Sequence, residues 1–139
     1  FPGGLLNTMM KACKYSIQIN DLLPESQRVS KETIVRCSFL SQIGKVFMFI
    51  PNKSEWHIKT LGKMYEFKET NVKLKSSERS IYYATKYGVL LTEEEFQCII
   101  NTEKDDDDKM SKYYSLPLTH IIKQGFELAI LEEKNERTN

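Results

Sequence analysis

Two histidines, His57 and His120, and three cysteines, Cys13, Cys37 and Cys98, are the side chains best suited to metal binding or nucleophilic chemistry. Their spacing supports neither. A tetrahedral zinc site draws on ligand pairs a few residues apart, and no such pair occurs, so neither a metal nor a cofactor is expected. Nucleophilic catalysis needs a base beside the nucleophile and a third group that orients the base. His57 sits between Trp56 and Ile58, and His120 precedes Ile121, settings that suit structural roles. Phe1-Pro2-Gly3-Gly4 lacks the spacing and the Lys-Ser/Thr ending of a phosphate-binding loop. The glutamate run Glu93-Glu94-Glu95 has the form of a helix cap rather than of an acid and base pair. The expectation is a protein that binds a partner and is not an enzyme.

The chemistry that remains is basic residues interleaved with aromatic ones. Lys45, Lys53, Lys59, Lys63, Lys68, Lys73, Lys75, Arg79 and Lys86 run among Trp56, Tyr65, Tyr82, Tyr83 and Tyr87. Such a surface can neutralise phosphates and stack unpaired bases on its rings. The net charge of +1 hides a division: residues 1 to 92 carry +7 and residues 93 to 139 carry −6. A basic body with an acidic tail suits polyanion binding that the tail limits. The nucleic-acid contacts expected from this pattern are Trp56, Lys59, Lys63, Lys73, Lys75, Arg79 and Lys86.

The elements that would position these residues read as follows. Leu5, Leu6, Met9, Met10 and Cys13 follow Gly3-Gly4 at helical spacing, a short amphipathic helix. Tyr15, Ile17 and Ile19 alternate with polar residues as a half-buried strand does. From Thr33 onward about sixty residues read as strands: 33 to 40, 45 to 50, 56 to 61, 63 to 69, 72 to 75, 81 to 84 and 89 to 91, with Gly88 as a bulge or bend. Leu91-Thr92-Glu93-Glu94-Glu95-Phe96 then forms a capping box, with Leu91 and Phe96 as a hydrophobic staple, and opens a helix. Asp105 to Asp108 repel one another, so residues 102 to 112 read as an acidic exposed linker. The string Asp105 to Lys109 also matches a protease-cleavage site common in engineered fusions, and a fusion junction is the second reading of it. Pro117, Leu118, Ile121, Ile122, Phe126, Ala129 and Ile130 fall on one helical stripe, which Leu128 and Leu131 widen.

Lys86-Tyr87-Gly88-Val89-Leu90-Leu91-Thr92-Glu93-Glu94-Glu95-Phe96 resembles the end of the PC4-like transcriptional coactivator domain. In that family a Lys-Gly-Ile-x-Leu strand runs through a Glu-containing cap into a helix with an aromatic near its start. Tyr87 is inserted here between the Lys and the Gly. The resemblance covers about residues 45 to 104. It implies a dimeric antiparallel sheet with one helix that binds unpaired DNA.

The combined expectation is a single α+β domain over residues 1–139: an antiparallel sheet of about five to seven strands, a short N-terminal helix and two C-terminal helices. Within it, residues 1–101 form a β-rich body, 102–112 the linker and 113–139 a C-terminal amphipathic helix. The function expected is single-stranded DNA or RNA binding by a homodimer, as a transcription or replication accessory factor. The alternative is a protein-interaction module, a viral or parasite factor engaging a host protein. No apolar run reaches the length of a bilayer span and no signal peptide is visible, so an intracellular place, nuclear or cytoplasmic, is expected, without a membrane partner. Three widely spaced cysteines read as buried thiols.

Overall fold

A computed structural model of the chain describes residues 2–51, 65–67, 72–102 and 116–138. The described residues form a helical bundle rather than an α+β sheet. Its helices are α1 (Pro2–Leu22), α2 (Lys31–Leu40), the single turn α3 (Ile43–Val46), α4 (Ser76–Lys86), α5 (Glu93–Asn101) and α6 (Pro117–Thr138), with a 3-10 turn at Glu25–Gln27. The β pairing among these residues is one short antiparallel ladder, β1 (Phe49–Pro51) on β2 (Tyr65–Phe67), with Ile50 opposite Glu66. The expected antiparallel sheet of five to seven strands is therefore corrected to two three-residue strands, and the β-rich body to a helical one. The expected strand at 56 to 61, all but residues 65–67 of the strand expected at 63 to 69, and residues 103–112 of the expected linker lie outside the described residues.

The physical reason lies in which side chains are buried. On α1 the inward face is Met9, Ala12, Cys13, Ser16 and Asn20, a helical series in which Ser16 is fully buried. Tyr15, Ile17 and Ile19, whose alternation suggested a strand, are the half-buried flanks of that face. On α2 the buried residues are Ile34, Cys37 and Ser38, and on α4 they are Ser77, Arg79, Ser80 and Ala84. Helices whose contact faces are serine and alanine carry little hydrophobic periodicity, yet they pack closely.

Two glycines show how close that packing is. A Cβ on Gly44 would lie 2.4 Å from the Ser76 carbonyl oxygen, and one on Gly125 would lie 2.0 Å from Ser16 Oγ. Gly44 lets α3 rest on α4, where its N–H donates to Ser80 Oγ at 3.0 Å and Ser80 Oγ donates to the Ser41 carbonyl at 3.2 Å. Gly125 lets α6 rest on α1, where Ser16 Oγ donates to the Ile121 carbonyl at 3.3 Å.

Local capping sets the ends of these helices. Ser30 Oγ accepts from the Thr33 N–H at 3.2 Å and opens α2. Thr92 and Glu95 form the capping box expected for α5: Thr92 Oγ1 accepts from the Glu95 N–H and Glu95 Oε1 from the Thr92 N–H, both at 3.1 Å. Gly88, with φ +75°, ends α4. There the Val89 N–H reaches the Ala84 carbonyl at 2.8 Å and the Gly88 N–H the Thr85 carbonyl at 3.1 Å, a Schellman motif. Lys86 to Leu91, which the coactivator resemblance makes a strand, is thus a helix end and a loop.

The core is Ile34, Cys37, Cys98, Leu118, Ile121 and Ile122, with Ile17, Ile19, Leu23, Val29 and Phe126 packed against it. It is built from α1, α2, α5 and α6. Helices α1 and α6 share the most extensive contact and run antiparallel. The C-terminal carboxylates face α1. Tyr15 Oη donates to Glu132 at 3.0 Å, Thr8 Oγ1 to Glu133 at 2.6 Å, and Lys11 Nζ lies 3.3 Å from Glu136. No described helix is long and apolar enough to cross a membrane.

Candidate functional site

Of the residues expected to contact nucleic acid, Trp56, Lys59 and Lys63 lie outside the described residues. Lys73 and Lys75 are exposed in the lead-in to α4. Arg79 is not a surface cation. It is 9 % exposed, and its Nη2 donates to the Val72 carbonyl at 2.6 Å, so it braces the lead-in strand of chain against α4. Lys86 lies on the exposed C-terminal turn of α4, with its Nζ 6.0 Å from the Tyr83 ring centre and 5.7 Å from that of Tyr87. Among the described residues no sheet face holds these residues together, and α4 relates Lys73 and Lys75 at one end to Lys86 at the other.

A second arrangement was not foreseen. A cavity of about 400 Å3 opens where α1, α3 and α6 meet the end of α5, lined by Leu5, Thr8, Gln42, Lys45, Thr102, Lys123, Phe126, Glu127 and Ile130. Each contributor has its own reason for being there. Thr8 stands one turn before the buried Ala12 on the face of α1 that meets α6, held near Gly4 O at 3.0 Å and Glu133. Gln42 and Lys45 are carried on the turn of chain that Gly44 docks against α4, and Thr102 is the C-cap residue of α5, its hydroxyl donating to the Ile99 carbonyl at 2.9 Å. Lys123, Phe126, Glu127 and Ile130 follow one another at helical spacing along α6.

The lining divides by chemistry. Leu5, Phe126 and Ile130 make an apolar wall, while Lys45 and Lys123 bring positive charge from two different helices. Both lysines are half-buried, and Lys45 has no ion pair among the described residues. Glu127 is the one acidic residue of the described lining, one turn after Lys123. Thr8, Gln42 and Thr102 add hydroxyl and amide groups. A volume of this size is at the small end of the usual range for ligand cavities, roughly 300–1,000 Å3. Among the described residues, no group of three His, Cys, Asp or Glu side chains could hold a metal ion.

Lys45 was within the basic constellation of the sequence, but Thr8, Gln42, Thr102 and Lys123 carried no sequence signal. They come from separate segments whose meeting depends on the packing of α1 against α6. No protein-family model, no curated protein and no solved structure matches this chain. Whatever the cavity binds must be argued from its own residues.

Proposed function

We propose that the protein is a receptor for a small phosphate-bearing ligand of about nucleotide size, held in the cavity between α1, α3, α5 and α6. One observation carries this reading: Lys45 and Lys123 approach a single cavity from opposite helices, beside an apolar wall. Two lysines whose stems are half-buried beside an apolar wall hold their charges at one cavity mouth, where an anion is attracted more strongly than by the same residues on an open surface. The Gln42 amide would donate to a further phosphate oxygen, and the Thr8 and Thr102 hydroxyl oxygens, whose hydrogens go to Glu133 and the Ile99 carbonyl, would accept from sugar hydroxyls. Leu5, Phe126 and Ile130 would cover a flat apolar group such as a base.

The test is thermal denaturation of the full chain with inorganic phosphate, nucleoside monophosphates and the parent nucleosides as probes. A ligand at 100 times its dissociation constant stabilises by about 2.7 kcal/mol. A monophosphate should raise the melting temperature where its nucleoside does not, and Lys45→Met and Lys123→Met should each abolish the rise. If no phosphorylated probe stabilises the protein, or if both variants respond as the parent does, the cavity is not an anion site.

A further inference from the structure

The end of α4 carries a feature that the cavity does not use. Phe47, at the C-cap of α3, packs its ring 4.6 Å from Tyr83 at 31° and 5.6 Å from Tyr87 at 24°. Tyr83 and Tyr87, one helical turn apart, lie nearly parallel at 15° with their centres 6.5 Å apart. Tyr82 meets Tyr83 edge-on at 5.3 Å. The cluster is not a core: Tyr87 is 59 % exposed, Tyr82 52 % and Phe47 39 %. Phe47 and Tyr87 stack at 24° and Tyr83 tilts 31° to Phe47, and the exposed parts of Phe47, Tyr82 and Tyr87 leave aromatic surface in water that a flat partner would cover.

Charge says what kind of partner. Lys86 Nζ stands within cation–π range of both Tyr83 and Tyr87. Residues 72 to 87 hold three exposed lysines beside the buried Arg79 and one acidic side chain, Glu78, which is turned to the helix start, where it accepts from the Lys75 N–H at 2.8 Å. Several carboxylates of the bundle are engaged away from this face: Glu95 with Arg36, and Glu132, Glu133 and Glu136 with α1. Lys73 and Lys75 lie at the opposite end of α4, about 16 Å away at 1.5 Å per residue, a distance that a few nucleotides of extended strand cover.

We infer that this face, Phe47, Tyr83, Tyr87 and Lys86 with Lys73 and Lys75 beyond them, binds single-stranded nucleic acid by stacking unpaired bases on the rings and neutralising phosphates with the lysines. Stacking needs bases whose faces are free, which a duplex does not offer, and it reads no particular sequence because every base has a π-face. The site is independent of the cavity, which lies across α3 and shares none of these residues.

The experiment is fluorescence anisotropy of the full chain with a labelled oligothymidylate of about a dozen nucleotides, and with a duplex of the same length. The single strand should bind, the duplex more weakly, and added salt should reduce affinity. Tyr87→Ala should weaken binding about 10-fold or more, whereas Tyr87→Phe should retain it. The joint change Lys73→Ala, Lys75→Ala should flatten the salt dependence by about one to two units of slope. Tyr87 is largely exposed, so Tyr87→Ala should lose only its ring contacts with Phe47 and Tyr83 and still unfold cooperatively well above the assay temperature, which separates loss of contact from loss of fold. Equal affinity for the duplex, or unchanged affinity in Tyr87→Ala, overturns the inference. So does a loss of binding in Lys45→Met and Lys123→Met with Tyr87→Ala unaffected, since that would place the oligonucleotide in the cavity.

Discussion

Arg36 on α2 holds Glu95 on α5 by a side-chain pair in which Nε lies 2.7 Å from Oε2 and Nη2 lies 3.4 Å from Oε1. The same guanidinium donates to the Leu90 carbonyl at 3.1 Å, and the same carboxylate accepts the Thr92 N–H of its own capping box. One pair of side chains thus closes the start of α5 and ties it to α2. The cap is local and legible in sequence; the tertiary partner, 59 residues away, is not.

That pair makes stability depend on acid. Burial by itself would raise the Glu95 carboxyl, but hydrogen bonds from Arg36 and Thr92 outweigh it and hold the group below its ordinary value of 4.5. A carboxyl depressed in the folded state stabilises the protein above its unfolded pKa, and that stability is lost as pH falls through the folded value. Urea denaturation at pH 6 and pH 3 checks this. Glu95→Gln should be less stable than the parent by about 1.5–3 kcal/mol at pH 6, the usual worth of hydrogen bonds to a charged group, and the gap should narrow at pH 3. A gap that does not change with pH would show that the ionised pair contributes nothing.

Gly125 gives a prediction of opposite sign to helix propensity. In a helix interior, alanine is favoured over glycine by about 1 kcal/mol. Here the added Cβ would lie 2.0 Å from Ser16 Oγ and 2.7 Å from the Ala12 carbonyl oxygen, and backbone cannot step aside as a flexible side chain can. Gly125→Ala should therefore lower stability by about 1–3 kcal/mol, the cost typical of overpacking, as read from the urea midpoint. An alanine variant as stable as the parent would mean that α1 and α6 are further apart than described.

The cysteines predict slow thiol chemistry. Contact with the Cys37 thiol, and then burial, push the Cys98 thiol far above its ordinary range, and both residues are fully enclosed in the core. A colourless-to-yellow thiol titration should find Cys37 and Cys98 inert in the native protein and all the thiols reactive in denaturant. Rapid labelling of Cys98 under native conditions would contradict the packing of α2 against α5.

The parts of the fold legible from sequence are those with loud local chemistry. The Thr92 capping box announces α5, and the leucine and isoleucine stripe after Pro117 announces α6, which continues to Thr138. The parts misread as strands are those whose inward faces are small or polar. Ser38 and Ser80 are fully buried, so a reader who assigns serine to solvent inverts both α2 and α4. Ile81, Tyr82, Tyr83 and Ala84 look like a β segment because β-branched and aromatic residues gather there, yet Ala84 is the buried member of the four. For the sites, the basic and aromatic bias near residues 73 to 87 was visible, although the Schellman turn at Gly88 and the ring of Phe47 that organise it were not. The cavity needs four segments brought together in space, and no local pattern encodes that.

The antiparallel seam between α1 and α6 also orders events during synthesis. Ser16 and Ala12 emerge from a ribosome more than a hundred residues before Gly125, the surface they fit. Until α6 is released, α1 lacks its most extensive contact and keeps only its packing on α2, and Ile34, Cys37 and Cys98 lack the covering supplied by Leu118, Ile121 and Ile122. A nascent chain that stops short of Leu118 therefore leaves that core open to water, the kind of exposed apolar surface that chaperones and proteases engage.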